Sequence, residues 1–189
     1  MLFRSAFRNS FFDSKNIGLA SARSGNVIGG GDWAADRLVP DILKAFEAGE
    51  HAQIRNPLAT RPWQHVLEPL SGYLTLAERL WHSPQKHAQA WNFGPRDSDA
   101  RSVEWIANEL ARQWGGEAHW DAEPGDHPHE AHYLKLDISK ARQLLGWHPR
   151  WDLKKALSMT VEWHRAWLDG ADMHSFCLKQ IQEYNATPS

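Results

Sequence analysis

The fold is decided by a glycine-rich stretch near the start of the chain, Ala22-Arg23-Ser24-Gly25-Asn26-Val27-Ile28-Gly29-Gly30-Gly31-Asp32-Trp33. It overlaps a mostly apolar run from Ile17 to Arg23, which predicts a buried strand of a parallel sheet. Consecutive glycines after a strand let backbone N–H groups approach an anion closely. The spacing of these glycines matches neither Gly-x-Gly-x-x-Gly nor the phosphate loop of nucleotide hydrolases. A plain tight loop is therefore the alternative interpretation.

Helical patterns follow this stretch and alternate with a few short strands. Asp36, Ser102 and Asp152 are predicted N-caps, because each precedes a run with apolar residues at helical spacing. Strands are predicted at residues 53–55 and 90–94, and Gly-Pro closes the second of them. This alternation indicates the α/β class, but only two or three strands are convincing, too few for a complete doubly wound sheet.

Composition excludes several classes of protein. A chain of 189 residues with 42% hydrophobic residues can fill a core, so a disordered tail is excluded. With a formal net charge of -2, the chain has no overall positive electrostatic field that would attract nucleic acid or an anionic membrane. Cys177 is the single cysteine, and no segment resembles a secretory signal or a membrane span. We therefore expect a cytoplasmic globular protein with neither a nucleic-acid nor a membrane partner.

Arginines beside turn residues are the first candidates for binding chemistry. Arg55 and Arg61 lie next to turn residues and not on a helix face, a position that suits a guanidinium that binds a phosphate with two hydrogen bonds. A surface salt bridge is the alternative role for either residue.

A histidine-rich segment is the second candidate. His127, His129 and His132 have the spacing of a zinc motif of the metallo-β-lactamase type, but Ala131 stands where that motif has an aspartate. Only 57 residues follow His132, which leaves little room for the further ligands of that fold. A zinc hydrolase is a distant alternative, and we predict no metal site.

Several stretches together resemble the later half of the extended short-chain dehydrogenase/reductases that act on nucleotide sugars. They are the glycine-rich stretch, Asp36-Arg37-Leu38-Val39-Pro40-Asp41 and Arg61-Pro62-Trp63-Gln64-His65-Val66. Pro128-His129-Glu130-Ala131 and Leu134-Lys135-Leu136-Asp137 are most similar to the branch of that superfamily that dehydrates CDP-glucose. The resemblance covers nearly the whole chain in order.

The resemblance implies a fold and a division of the chain. The fold is the C-terminal part of a Rossmann fold, its last parallel strands, with a mostly helical substrate-binding region. Residues 1–33 are then the end of the NAD-binding domain, and residues 34–189 are the substrate-binding region. Residues 86–100 contribute a further Rossmann strand.

The resemblance also implies site residues. A nucleotide sugar, with CDP-glucose favoured, is expected to contact Asn26, Arg37, Leu38, Val39, Arg55, Arg61, Asn92, His129 and Glu130. Arg61 corresponds to the arginine that grips the diphosphate in these enzymes. NAD, the family's cofactor, is expected near Ser24, Gly25 and Val27.

Catalysis in this family needs a Tyr-x-x-x-Lys pair, which this sequence lacks. Tyr73, Tyr133 and Tyr184 are followed four positions later by Ala, Asp and Pro. The resemblance therefore implies a chain that begins just downstream of that pair and of the NAD glycine motif, has no catalytic residue and is inactive alone. A nucleotide-sugar binding or assembly module is the alternative, as a homodimer or completed by a separate N-terminal half. Unpaired strand edges predict that the chain alone folds poorly or aggregates.

Overall fold

Short strands and longer helices alternate along the chain, as the apolar spacing predicts. The computed structural model describes residue 6 and residues 10–12, 17–125 and 133–188. The strands are β1 (Ser21–Ser24), β2 (Asn26–Ile28), β3 (Ala52–Ile54), β4 (Thr60–His65), β5 (Ala90–Phe93), β6 (Ala100–Ser102) and β7 (Trp120–Ala122). The helices are α1 (Leu38–Glu47), α2 (Leu67–His82), α3 (Pro84–His87), α4 (Val103–Trp114), α5 (Ser139–Leu145), α6 (Leu153–Leu168) and α7 (Met173–Ala186).

The strands form three small sheets. β1 pairs in parallel with β5, and β3 pairs in parallel with β7. β4 lies between β2, which is parallel to it, and β6, which is antiparallel. This arrangement confirms the α/β class, although it contains more strands than the sequence pattern indicated. None of the helices in the described part of the chain is long and apolar enough to cross a membrane.

The main core lies between the three-stranded sheet of β2, β4 and β6 and the helices α1, α4 and α6. The apolar stripe of α1, which contains Val39, Ile42, Leu43 and Phe46, is buried there. Each such side chain contributes about 1.5–3 kcal/mol when fully buried. These contacts fix the N-terminus of α1 beside the end of β2, where the candidate site lies.

A second core joins β5 to α2 and α5. Phe93 of β5 is completely buried and packs with Leu76 and Trp147. A Cβ on Gly72 of α2 would lie 2.2 Å from a carbon of the Phe93 ring, so only glycine permits this close approach.

The predicted N-caps have different outcomes. Ser102 accepts a hydrogen bond from the Trp105 N–H at 3.3 Å and Asp152 accepts one from the Lys155 N–H at 2.8 Å, so both predictions are confirmed. The prediction that Asp36 is an N-cap is wrong, because Arg37 occupies the N-cap position of α1 and its side chain makes no capping hydrogen bond. Asp36 instead adopts the left-handed conformation, with φ of 60°.

Two strands replace predicted loops. Part of the glycine-rich stretch forms β2, and the Arg61-Pro62-Trp63 segment lies inside β4 rather than in a loop. The run from Ile17 to Arg23 does enter a parallel strand, but residues 21–23 are exposed, since β1 pairs only with β5 in the described part of the chain. Most of the predicted helix over the first dozen residues lies outside the described residues.

Candidate functional site

A cavity of about 590 Å³ lies where the end of β1, strand β2, the N-terminus of α1 and strand β3 meet. This volume is within the range of roughly 300–1,000 Å³ that is common for small-molecule sites. The lining is mixed in character: backbone of the glycine-rich stretch, apolar residues of the core edge, and side chains of three arginines and three aspartates.

Most of the site residues expected from the sequence line this one cavity. They are Ser24, Gly25, Asn26, Val27, Arg37, Leu38, Val39, Arg55 and Arg61. Asn92 is not among the lining residues: its side chain accepts hydrogen bonds from Arg23 at 3.1 and 3.2 Å and donates one to the Asp137 carbonyl at 3.1 Å. His129 and Glu130 lie outside the described residues.

Other lining residues were not expected from the sequence. Asp32, Asp36 and Asp41 place carboxylates at the cavity, and Asn56 adds an amide group. Asp32 lies at the end of the glycine-rich stretch, Asp36 follows it, and Asp41 lies in the first turn of α1, a charge pattern visible in the sequence. The pairing of Asp36 with an arginine is not visible there, because its partner Arg55 directly follows strand β3, nineteen residues away.

Ion pairs hold two of the cavity's arginines. Arg55 donates to Asp36 at 2.8 Å and lies 3.5 Å from Glu123, so it forms surface ion pairs with both carboxylates. Arg37 lies 3.7 Å from Asp32. The side chains of Arg55 and Asp36 are 56% and 77% exposed, and such exposed pairs contribute only about 0–1 kcal/mol. An incoming anion can therefore displace the aspartates at small cost.

Asp41 in the first turn of α1 has a different electrostatic environment. Burial raises the pKa of its carboxyl, and the neighbouring Asp36 raises it further. The charged form of Asp41 is thus less favourable here than in water.

Arg61 projects from a strand in the middle of a sheet. It is half-buried, its Nη1 donates to the Thr60 carbonyl at 3.0 Å, and its backbone pairs with Arg101 of β6. A Cβ on Gly25 would lie 2.3 Å from the Pro62 carbonyl oxygen, so the β1–β2 connection passes tightly over β4. The backbone beside Arg61 is therefore held in place on both sides.

The N-terminus of α1 adds a partial positive charge. Leu38 and Val39 form its first turn and line the cavity, and the N-cap residue Arg37 supplies no side-chain acceptor. First-turn N–H groups of this kind are good partners for phosphate oxygens.

The expected cofactor residues do not by themselves make a dinucleotide site. Ser24, Gly25 and Val27 line the cavity. A dinucleotide pyrophosphate, however, binds where a glycine-rich turn opens a helix directly after a strand. At Gly25 a Cβ would lie 2.3 Å from the Pro62 carbonyl oxygen, so the missing side chain serves the packing against β4. The described residues contain no glycine-rich turn that opens a helix directly after a strand, so the pyrophosphate part of an NAD site would need further protein.

A buried carboxylate outside the cavity has a structural role. Glu68 of α2 accepts hydrogen bonds from the N–H groups of Arg150 and Trp151 and from the Tyr184 hydroxyl, at 2.7 to 3.1 Å. Burial raises the pKa of Glu68, while these donors oppose the shift. Glu68 therefore ties α2 to the segment before α6 and to α7.

Comparison with known proteins finds a relative of high sequence identity. No protein-family model matches the chain. The chain is 55% identical over 188 residues to the CDP-glucose 4,6-dehydratase of Salmonella typhimurium. The alignment covers 97% of this chain and 52% of that protein.

Solved structures share the fold at low identity. The UDP-glucuronic acid 4-epimerase of Bacillus cereus, in complex with UDP-glucuronic acid and NAD, matches with a TM-score of 0.73 and 18% identity, over 88% of this chain and 50% of that one. The UDP-glucose 4-epimerase of Thermotoga maritima, with UDP-glucose, matches with a TM-score of 0.73 and 20% identity, and the match covers 88% of this chain and 51% of that one. The dTDP-glucose 4,6-dehydratase of Bacillus anthracis, in complex with NAD, matches with a TM-score of 0.68 and 14% identity, and the match covers 87% of this chain and 48% of that one.

The chain thus spans about half the length of the proteins it matches. The identity with the Salmonella protein confirms the resemblance predicted from the sequence motifs. The chain is therefore a homologue of CDP-glucose 4,6-dehydratase over about half of that enzyme's length, and its α/β fold matches about half of the NAD-dependent epimerase/dehydratase structures.

Proposed function

We propose that the cavity binds the nucleoside diphosphate of a nucleotide sugar, and that CDP-glucose is its ligand. The observation that carries this proposal is the convergence of Arg37, Arg55, Arg61 and the first turn of α1 on one cavity. The identity of 55% with a CDP-glucose 4,6-dehydratase supports the choice of nucleotide and sugar.

Each lining group has a role in this proposal. Arg61 grips the diphosphate, because a guanidinium on a rigid strand can present two parallel N–H donors to phosphate oxygens. Arg55 and Arg37 exchange their exposed aspartate partners for phosphate oxygens. Leu38 and Val39 donate backbone N–H groups, and Asn26 hydrogen-bonds the sugar-nucleotide.

Conversion of the ligand is not proposed for this chain alone. None of Tyr73, Tyr133 and Tyr184 has a lysine four residues later, so the sequence has no Tyr-x-x-x-Lys pair to act as base. The residues around Ser24 also do not fit NAD without further protein. We therefore propose that the isolated chain binds CDP-glucose and leaves it unchanged.

Calorimetric titration with CDP-glucose tests binding. Arg61→Ala should weaken binding by at least about 30-fold, or about 2 kcal/mol, because a phosphate loses a charged partner in a partly buried site. Arg101→Ala is the matched control, since Arg101 pairs with Arg61 in the sheet but does not line the cavity. Absence of heat with the intact chain, or equal losses in the two variants, would refute the proposal.

Specificity and conversion need separate measurements. UDP-glucose should bind more weakly than CDP-glucose, and chromatography of CDP-glucose after incubation with NAD should return it intact. Tighter binding of UDP-glucose would show that the cavity takes another nucleotide. Formation of a dehydrated sugar would show that the chain carries a base other than the expected tyrosine.

An exposed apolar stripe on α2 supports an additional role in assembly. Leu70, Leu74 and Trp81 share one helical face, and the last two are 73% and 85% exposed. We propose that this face packs against protein corresponding to the half of the dehydratase that the chain does not span. Leu74→Glu should then abolish co-purification with that half of the Salmonella enzyme, whereas the neighbouring Glu78→Gln should not. Dimerisation of the chain alone through the same face would indicate a homodimer instead.

A further inference from the structure

The pairing of β3 with β7 brings two histidines and an aspartate together on one face. Ala52 lies opposite Trp120, and the Ala52 N–H donates to the His119 carbonyl at 3.1 Å. His51 and His119, each one residue earlier, are therefore also neighbours. Side chains alternate along a strand, so His119 and Asp121 lie on the same face of β7.

The opposite face of this strand pair packs against the main core. Ala52 and Ile54 are buried, and Trp120 packs against the core cluster. The face that carries His51, His119 and Asp121 is consequently turned to solvent, and all three side chains are about half exposed. The backbone positions of His51 on one strand and of His119 and Asp121 on the other are thus fixed by strand pairing, while the three exposed side chains remain free to rotate.

The distances within the cluster suit a small cation. Nδ1 of His51 lies 2.9 Å from one Asp121 oxygen, and Nε2 of His119 lies 3.7 Å from the other. One ligand atom from each of the three residues can be chosen so that all lie within 4.8 Å of one another. Ligand atoms around a tetrahedral zinc ion are separated by about 3.3 Å, given metal–ligand bonds of about 2.0–2.1 Å.

The donor set determines the kind of cation. Two imidazole nitrogens and one carboxylate favour zinc and neighbouring transition metals over calcium or magnesium, which take oxygen ligands. The His51 and His119 rings are stacked, with centroids 3.8 Å apart and an angle of 23° between their planes. Rotation of these exposed rings about their side-chain bonds turns both nitrogens toward a common point.

We propose that His51, His119 and Asp121 form a binding site for a divalent transition metal, with zinc as the reference ion and water completing the coordination. The metal would link the beginnings of β3 and β7. At the other end of the same strands, the Glu123 N–H donates to the Ile54 carbonyl and Arg55 lies 3.5 Å from Glu123, at the edge of the cavity. Metal binding would therefore stabilise the strand pair that carries Arg55.

Titration of the untagged, chelator-treated chain with zinc tests this site. One ion should bind, and His119→Ala and Asp121→Asn should each weaken that binding at least tenfold. Because the three side chains are exposed, these variants should keep the circular dichroism spectrum of the parent. Zinc should also raise the melting temperature of the parent chain but not of these variants.

The histidine-rich segment supplies the decisive control. The combined variant His127→Ala, His129→Ala and His132→Ala removes the other histidine cluster and should retain zinc binding by His51, His119 and Asp121. Loss of binding in this variant alone would assign the metal to that segment and overturn the proposal. Undetectable zinc binding by the parent would also overturn it and would leave a hydrogen-bonded cluster only. CDP-glucose binding, measured in the His119→Ala and Asp121→Asn variants, which leave the cavity residues unchanged, separates this outcome from failure of the cavity proposal.

Discussion

Acidification should destabilise the folded chain through one buried histidine. His65, at the end of β4, is 2% exposed, and its Nδ1 accepts a hydrogen bond from the Leu67 N–H at 3.3 Å. Its Nε2 is buried and has no hydrogen-bond partner among the described residues. The ring also lies edge-on to Trp151, with centroids 4.9 Å apart. A protonated ring would need acceptors at both nitrogens, so burial lowers the pKa of His65 from 6.5 to about 4.

The sign of the effect follows from which state binds more protons. Between pH 6.5 and about 4, the unfolded chain protonates His65 while the folded chain does not, so stability falls as the pH falls through this interval. One pKa unit corresponds to about 1.36 kcal/mol. The difference between 6.5 and about 4 therefore corresponds to about 3 kcal/mol in total, of which about 2–3 kcal/mol is lost by pH 4.5.

Replacement by phenylalanine isolates this contribution. His65→Phe keeps the ring volume but removes the acceptor for the Leu67 N–H, which should cost about 1 kcal/mol at pH 7.5. At about pH 4.5 the order should reverse, with the variant about 1–2 kcal/mol more stable than the parent, because it has no group to protonate. Urea unfolding followed by tryptophan fluorescence at several pH values measures both curves. A difference between the two proteins that stays constant with pH would refute the reasoning.

Six further substitutions, at four positions, probe hydrogen bonding, packing and capping through the urea midpoint. Glu68→Gln should cost less than about 1 kcal/mol, since an amide can still accept from two backbone N–H groups, whereas Glu68→Ala should cost about 3 kcal/mol or more. Because burial raises the pKa of Glu68, its ionisation lowers stability as the pH rises above 4.5, and Glu68→Gln should remove that slope. Gly30→Ala would place a Cβ 2.0 Å from the Trp163 ring and should cost about 3 kcal/mol or more, while Gly49→Ala, with φ of 70° and open space around it, should cost about 1 kcal/mol. Ser102→Ala should cost about 1 kcal/mol and Ser102→Asp should not, because aspartate also caps.

Features with a local cause could be predicted from the sequence. Ser102 and Asp152 cap the helices that their positions indicated, because a side chain that bonds an N–H three residues later needs no distant partner. Asp36 has the same local signature, but Arg55, nineteen residues away, takes its carboxylate. The left-handed backbone at Asp36 then places it outside the helix.

Strands with distant partners could not be found in the same way. Pro62 makes the segment around it look like a loop, yet that segment forms a strand between two others. Its partner β2 comes from the glycine-rich stretch, and Gly25 permits the close approach by lacking a Cβ. Local composition thus predicted two loops where long-range pairing makes a sheet.

The same distinction applies to the candidate site. Arg55 and Arg61 were identified first by their position beside turn residues and Asn26 by resemblance to a family motif, and the structure places all three at one cavity. Asn92 was identified in the same way, but hydrogen bonds with Arg23 and Asp137 hold it elsewhere. Motif matching selects residue types and order, whereas the position of a side chain depends on its hydrogen-bond partners.

The near-neutral charge of the chain is compatible with an anionic ligand because the cavity contains its own exchangeable counterions. Asp36 and Asp32 hold Arg55 and Arg37 in place, and these exposed pairs are weak. A diphosphate offers the same arginines stronger, charge-assisted hydrogen bonds, so it can replace the carboxylates while the protein keeps its net charge of -2. On the proposed function, Asp36→Asn should therefore strengthen CDP-glucose binding by a few fold, since Arg55 would no longer have to leave a charged partner. Weaker binding in this variant would mean that Asp36 positions Arg55 for the ligand and does not compete with it.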